Sequence, residues 1–330
     1  MNKNLIRVAL GKKSADLILK NAKIVDVFTE SVFEGDIAIA DGYISAVGKY
    51  DTAKTVIDVQ GKYVCPAFIN AHCHVESSMA TPEAYCREEL RWGVTTLITD
   101  PHEIANVKGP EGILYMLKAG GKMPVNYYVE MPSCVPATPF ETSGCIMYAK
   151  DMEELLNEPG VLGMGEMMNV PGVLGEDKDV IAKLECFQKA GRVIDGHAPC
   201  VTGKELQGYI SAGIDTDHES ISWAEAQEKL RSGVAILVRE GSASRNLDAI
   251  IKGAIADKAA PSRMAFCTDD KHLADIKREG TIRHCILKSI ALGMNPEQAI
   301  AMAKKMKADS MPIDLIAKYS GLTKEEIEKL

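Results

Sequence analysis

Val64-Cys-Pro-Ala-Phe-Ile-Asn-Ala-His-Cys-His74 is an apolar run that turns polar at its C-terminal end, and this pattern decides the fold. Similar short apolar runs recur at 95–99, 126–131, 161–165, 192–195, 214–216, 234–238 and 264–267. Helix-length amphipathic segments separate them, at 82–92, 110–118, 152–156, 179–190, 203–212, 223–231, 244–256 and 281–292. Such alternation reads as βαβ units and a parallel sheet. Eight units in this length predict a closed (β/α)8 TIM-like barrel, an α/β fold, over an open doubly wound sheet. No Gly-x-Gly-x-x-Gly follows the first run, which argues against a dinucleotide fold.

Polar residues gather at the same end of each unit. The runs lead into His72 and His74, Asp100-Pro-His-Glu103, Glu166, Asp195-Gly-His197, Asp217-His-Glu219, Arg239-Glu240 and Thr268-Asp-Asp270. In a barrel these strand ends converge on one face, where active sites form. Side chains alternate along a strand, so His72 and His74 share a side and can chelate one ion. His197 or His218 alone reads more readily as a hydrogen-bonded core histidine than as a ligand. Four histidines and two carboxylates together predict a metal centre, because burial without a cation would leave several polar groups unpaired.

Further out, strands are expected at 15–25, 35–40, 44–47 and 55–59, with a turn at Asp41-Gly42, as an antiparallel meander. The expected organisation is therefore an N-terminal β-sheet over 1–63, half of a composite β-sandwich. The barrel follows over 64–303 and a short helical tail over 304–330. The tail suggests helices at 313–319 and 324–330, with Thr323 as N-cap and Gly321 ending the first. Across 330 residues, 38 Lys and Arg stand against 46 Asp and Glu, a net charge of −8. No basic field is present to attract nucleic acid. No apolar run is long enough for a membrane span, and the first residues lack a signal-peptide core. Nine cysteines without a Cys-x-x-Cys pair point to a reducing cytoplasm.

Seven stretches make the sequence recognisable. They are Asn70-Ala-His-Cys-His-Val-Glu-Ser-Ser-Met79, Asp100-Pro-His-Glu-Ile-Ala-Asn106, Pro132-Ser-Cys-Val-Pro-Ala-Thr-Pro-Phe-Glu-Thr-Ser-Gly144, Gly165-Glu-Met-Met-Asn169, Asp195-Gly-His-Ala-Pro199, Arg239-Glu-Gly-Ser-Ala243 and Phe266-Cys-Thr-Asp-Asp270. In this order they resemble the adenine deaminase family of the amidohydrolase superfamily, over residues 15–303. His-x-His is common to the superfamily, whereas the stretches after the second, third and eighth strands are specific to the deaminases.

The resemblance implies two divalent metal ions, most often manganese, with iron or zinc as alternatives. His72, His74 and Asp269 would hold one ion, and His197 and His218 the other. Glu166 would stand where many relatives place a bridging carboxylated lysine. The implied reaction is hydrolytic deamination of adenine to hypoxanthine and ammonia by a hydroxide shared between the ions. Asp269 would carry the proton from water to the departing amine. Glu103 or Glu240, with Asp270 behind them, would protonate the ring, or else orient ligand histidines. His102 would stabilise the intermediate or cap a loop, and Arg239 would bind substrate or pair with Glu240.

Past Met302 the sequence departs from the family, whose members return to the N-terminal sheet with further strands and another domain. The expectation is a truncated chain, or one fused to an unrelated tail, whose exposed sheet a second subunit covers in a homodimer. An inactive relative that keeps metal or purine binding stays open beside the active deaminase. A hydrolase of cyclic amides is the third reading, which Glu166 in place of lysine disfavours.

Overall fold

The computed structural model describes residues 2–304. The helices expected at 313–319 and 324–330 lie outside the described residues. The chain divides into two compact units, Met1–Ala67 with the segment from Pro296, and Phe68–Asn295.

The first unit opens with a helix, Lys3–Ala9, which the strand-dominated reading of this region did not include. The Asn2 side chain caps it by accepting from the Asn4 amide. Five strands follow: β1 (Ala15–Asp26), β2 (Ser31–Ala40), β3 (Tyr43–Gly48), β4 (Ala53–Asp58) and β5 (Tyr63–Val64). β1, β2 and β3 pair antiparallel, as a meander should. The meander expectation fails at the fourth strand. β4 and β5 both pair with β1 in parallel, with Leu17 beside Thr55 and Ile24 beside Val64.

The cause lies in β1, which is 12 residues long and bulged between Leu19 and Ala22. Asn21 sits there at φ 57, a left-handed conformation that Asn tolerates. The edge left free by β2 thus offers two pairing segments, and β4 takes the first and β5 the second. Val64, expected at the head of the first barrel strand, closes this sheet instead. Pro66, which lacks an N–H, follows it and separates the two sheets in sequence. Alternation gives the sheet two apolar faces. One buries Val8, Ala15, Ile18, Ala38 and Ala40, and the other Ala22, Ile24 and Ile37.

The second unit is the barrel. Its strands are β6 (Phe68–Cys73), β7 (Val94–Thr99), β8 (Asn126–Met131), β9 (Val161–Met167), β10 (Val193–Gly196), β11 (Thr216–Asp217), β12 (Ala235–Arg239) and β13 (Met264–Cys267). They form one eight-stranded parallel sheet in sequence order. The first and last strand ends meet where Cys73 bridges Asp269 and the Asp269 amide donates to the His72 carbonyl at 3.0 Å. Strands covered on both faces read as continuous apolar runs, and Leu97, Ile98, Val129, Met164, Ile194 and Phe266 are all buried.

The helices start where local chemistry directs. Thr81, Asp177 and Ser222 side chains cap Pro82–Arg91, Lys178–Lys189 and Trp223–Arg231. Three short helices absent from the sequence reading follow directly on strands: His102–Lys108, Val170–Leu174 and Leu273–Glu279. Among the described residues, no helix is long and apolar enough to cross a membrane. All nine cysteines are unpaired.

Candidate metal centre

His72 and His74 project from the end of β6 to one side, both buried. His74 Nδ1 lies 2.8 Å from the Asp100 carbonyl, and His72 Nδ1 lies 3.0 Å from Asp195 Oδ2. His74 thus turns its Nδ1 outward to a carbonyl acceptor, and His72 Nδ1 faces a carboxylate oxygen without a hydrogen bond of standard geometry. Their Nε2 atoms face each other at 3.0 Å, two lone pairs that need a proton or a cation between them. Asp269 Oδ1 joins them, 3.0 Å from His74 Nε2 and 3.8 Å from His72 Nε2. Asp269 sits at φ 53, a conformation costly for a non-glycine residue and held here by the barrel-closing bond.

Glu166, at the end of β9, stands at the centre. Its Oε2 lies 2.7 Å from His197 Nδ1 and 2.9 Å from His218 Nε2. Its Oε1 lies 3.1 Å from His102 Nδ1 and 3.9 Å from His74 Nε2. Asp100 fixes this strand end by accepting the Glu166 amide at 2.9 Å. Gly165 makes that approach possible, since a Cβ there would collide with the Asp100 carboxylate. Burial alone would raise the Glu166 carboxyl, but the imidazoles of His102, His197 and His218 set against it hold it well below the usual carboxylate range. Burial also opposes ionisation of Asp269, and the His74 bond with the nearby imidazoles outweighs it.

Arg239 emerges between two carboxylates. Its guanidinium donates to Asp269 Oδ2 at 2.7 Å, to Glu219 Oε1, and to Glu219 Oε2 at 3.2 Å. The expected pairing with Glu240 is replaced by this triad. Glu240 lies apart from the cluster. Adjacent residues at a strand end point to opposite sides, and Glu240 turns outward to Lys288 Nζ at 2.8 Å and Arg245 Nη1 at 3.5 Å. Burial raises its pKa, but bonds from His284 and Lys288 overcome this and lower it. It is not gathered with His72, His74, His197 and His218.

Glu103 stays at the rim. Its Oε1 accepts from Ser77 Oγ at 3.3 Å, and its Oε2 lies 3.7 Å from His102 Nε2. Ser77 also donates to Asp270. Four buried carboxylates surround the cluster: Asp100, Asp195 and Glu219, which the sequence places at strand ends without a role, and Glu130, which it did not single out. Each is an acid at the end of an apolar run, and that signal was available for all four. Burial, reinforced by Asp195 and Asp100, pushes Glu130 well above the carboxylate range.

The residues fit divalent cations. His72, His74 and Glu166 form one set whose donor atoms lie within 4.8 Å of one another, and Glu166, His197 and His218 form another. Both sets share Glu166. His218 Nε2 is buried without a hydrogen-bond partner, a cost that a bound cation would offset. Imidazole and carboxylate donors suit such ions.

A sequence model of the amidohydrolase family matches residues 63–311. An adenine deaminase of Desulfitobacterium hafniense (strain Y51) is 46% identical over 301 residues, 91% of this chain and 52% of its own length. An adenine deaminase of Clostridium acetobutylicum is 44% identical over 322 residues, 98% of this chain and 56% of its own. The chain spans about half the length of these curated relatives. Among solved structures, an N-acetyl-D-glucosamine-6-phosphate deacetylase from Mycobacterium smegmatis matches with a TM-score of 0.63 at 15% identity, covering 93% of this chain and 90% of its own. A dihydroorotase matches at 0.59 and 16% identity, covering 95% and 86%. These two show a shared fold.

Proposed function

Because the chain belongs to the amidohydrolase family, we propose that it deaminates adenine, taking up water and releasing hypoxanthine and ammonia. The observation that carries the reading is Glu166, a single carboxylate facing histidines from both sets. The substrate is supported by the 46% identity to a protein named adenine deaminase. His72, His74 and Asp269 would hold one ion, His197 and His218 the other, and Glu166 would lie between. Manganese is the metal we assign, ahead of iron or zinc. Two divalent ions there would supply Lewis acidity and lower the pKa of water toward neutrality.

The side chains divide the remaining work. Asp269 takes a proton from the attacking water while Arg239 anchors its Oδ2. The water oxygen bonds to C6, and Asp269 returns the proton to the exocyclic nitrogen. The C6–N bond then breaks and ammonia leaves. Ring N1 gains a proton as attack proceeds, and Glu103 at the rim supplies it. Glu103 is restored by the proton left on the new hydroxyl oxygen. His102, against Glu166, orients that carboxylate.

The manganese-loaded protein should convert adenine to equal amounts of hypoxanthine and ammonia, and metal analysis should find about two ions per chain. A folded, metal-loaded protein silent toward adenine overturns the activity and leaves a protein that binds without turnover. Exposed Phe28, Phe33, Ile44 and Val47 in the first unit support a homodimer, which light scattering checks. The nine unpaired cysteines support a reducing, cytoplasmic setting.

A further inference from the structure

We infer that Asp195 is a positioning residue that ties the two halves of the metal centre together. The inference rests on the metal reading above. Asp195 is fully buried at the end of β10. Its Oδ1 accepts from the Gly196 amide at 2.9 Å and from the Thr216 hydroxyl, which fixes the carboxylate in one orientation. Its Oδ2 has no hydrogen-bond partner of standard geometry, yet it lies 3.0 Å from His72 Nδ1 and 3.4 Å from His218 Nδ1.

Those two rings belong to different ligand sets. They stack face to face, with centroids 4.0 Å apart and planes 19° apart, above the same oxygen. Their far nitrogens point inward: His72 Nε2 faces His74 Nε2 at 3.0 Å, and His218 Nε2 faces Glu166 Oε2 at 2.9 Å. An acceptor at Nδ1 holds an imidazole in the Nδ1–H tautomer and leaves Nε2 free as a ligand. One carboxylate oxygen does this for one ligand of each ion. The other nearby acid, Glu130, stands 3.9 Å from His72 Nδ1. Loss of Asp195 should therefore weaken both halves at once, where an ordinary outer carboxylate would affect one.

Asp195→Asn is the sharpest test. Gly196 N–H and the Thr216 hydroxyl still demand an oxygen on their side, so the amide NH2 turns toward both rings and favours the Nε2–H tautomer. The metal-free full chain is titrated with Mn2+ alone and followed by electron paramagnetic resonance, with circular dichroism confirming the fold. Both manganese equivalents should weaken together, each by about 10–100-fold. Long-range 1H–15N spectra of the metal-free chain should show His72 and His218 moving from Nδ1–H to Nε2–H. Weakening of one equivalent alone, or unchanged tautomers, overturns the inference. If that variant does not fold, Thr216→Val removes only the hydroxyl on Oδ1 and should loosen both equivalents by a smaller factor. Unchanged binding there also overturns it. Wild-type chain that takes up no manganese overturns the metal reading itself, while the tautomer spectra still judge Asp195 independently.

Discussion

Glu166 and Glu240 each close a strand of the parallel sheet, each is buried, and the sequence around them reads alike, yet they keep opposite company. Glu240 meets cations that are charged at any physiological pH, Lys288 and Arg245, with His284 near. Glu166 meets imidazoles, from His74, His102, His197 and His218. A carboxylate paired with fixed cations is already neutralised, which suits a structural role. A carboxylate ringed by imidazoles is neutralised only if those rings hold protons or share a cation, so it can serve chemistry. Glu89 is a third case. It is also buried, with neutral neighbours: Thr281 Oγ1 donates at 2.7 Å and Asn70 Nδ2 at 3.3 Å. Burial pushes its pKa to about 7. The charge state of a buried acid thus follows from its neighbours rather than from burial itself.

The same Glu-to-Gln exchange at the three sites tests this comparison, and Glu166→Gln should have the largest effect. Activity should fall by more than about 10^4-fold, the scale on which one member of a cooperating group is missed, with metal content falling in parallel. A variant that keeps both activity and metal would erase the distinction from Glu240. Next comes Arg239→Met, which strips the shared cation from Glu219 and Asp269 and leaves two buried carboxylates facing each other. It should lower stability by about 3–5 kcal/mol in urea unfolding. A loss below about 1 kcal/mol, the scale of an exposed pair, would mean the triad is not a desolvated one.

Glu89→Gln follows. Glu89 holds its proton more tightly in the folded chain, at about 7 against the ordinary carboxyl value of 4.5. Its contribution is therefore complete below the unfolded pKa and is lost as pH rises through the folded one. That amounts to about 3 kcal/mol between pH 4 and 8. The Gln variant should lack this part of the decline, as read from urea midpoints across the range. An identical pH slope in both proteins would show that Glu89 stays ionised. The smallest effect belongs to Glu240→Gln. It should cost about 1–3 kcal/mol, as hydrogen bonds to a charged group do, because Lys288 keeps Asp248 as a partner. The value of kcat should be unchanged, and a large fall would restore Glu240 to the chemistry.

The barrel was legible because strand and helix periods are local properties, written into each run of residues. The ligand candidates were legible for a related reason: in a parallel barrel every strand points the same way, so a polar residue at a strand end faces the same mouth. The failures are equally specific. Val64 reads as barrel strand, but its pairing with Ile24 places it in the other sheet. β4 reads as the next strand of a meander, but the bulge in β1 opens a parallel edge that nearest-neighbour reasoning does not anticipate.

The sequence by itself determined the alternation, the polar strand ends and the residue types of the centre, because each is set by period and composition along the chain. Only the tertiary structure decided which acid faces which base. Arg239 and Glu240 are neighbours in sequence and diverge in space, one to Asp269 and the other to Lys288. Asp195 gains its place only when barrel closure stacks His72 on His218 above one oxygen. Such partnerships depend on side-chain direction at strand ends distant in the chain, and burial makes each of them consequential by removing the water that would otherwise serve as partner.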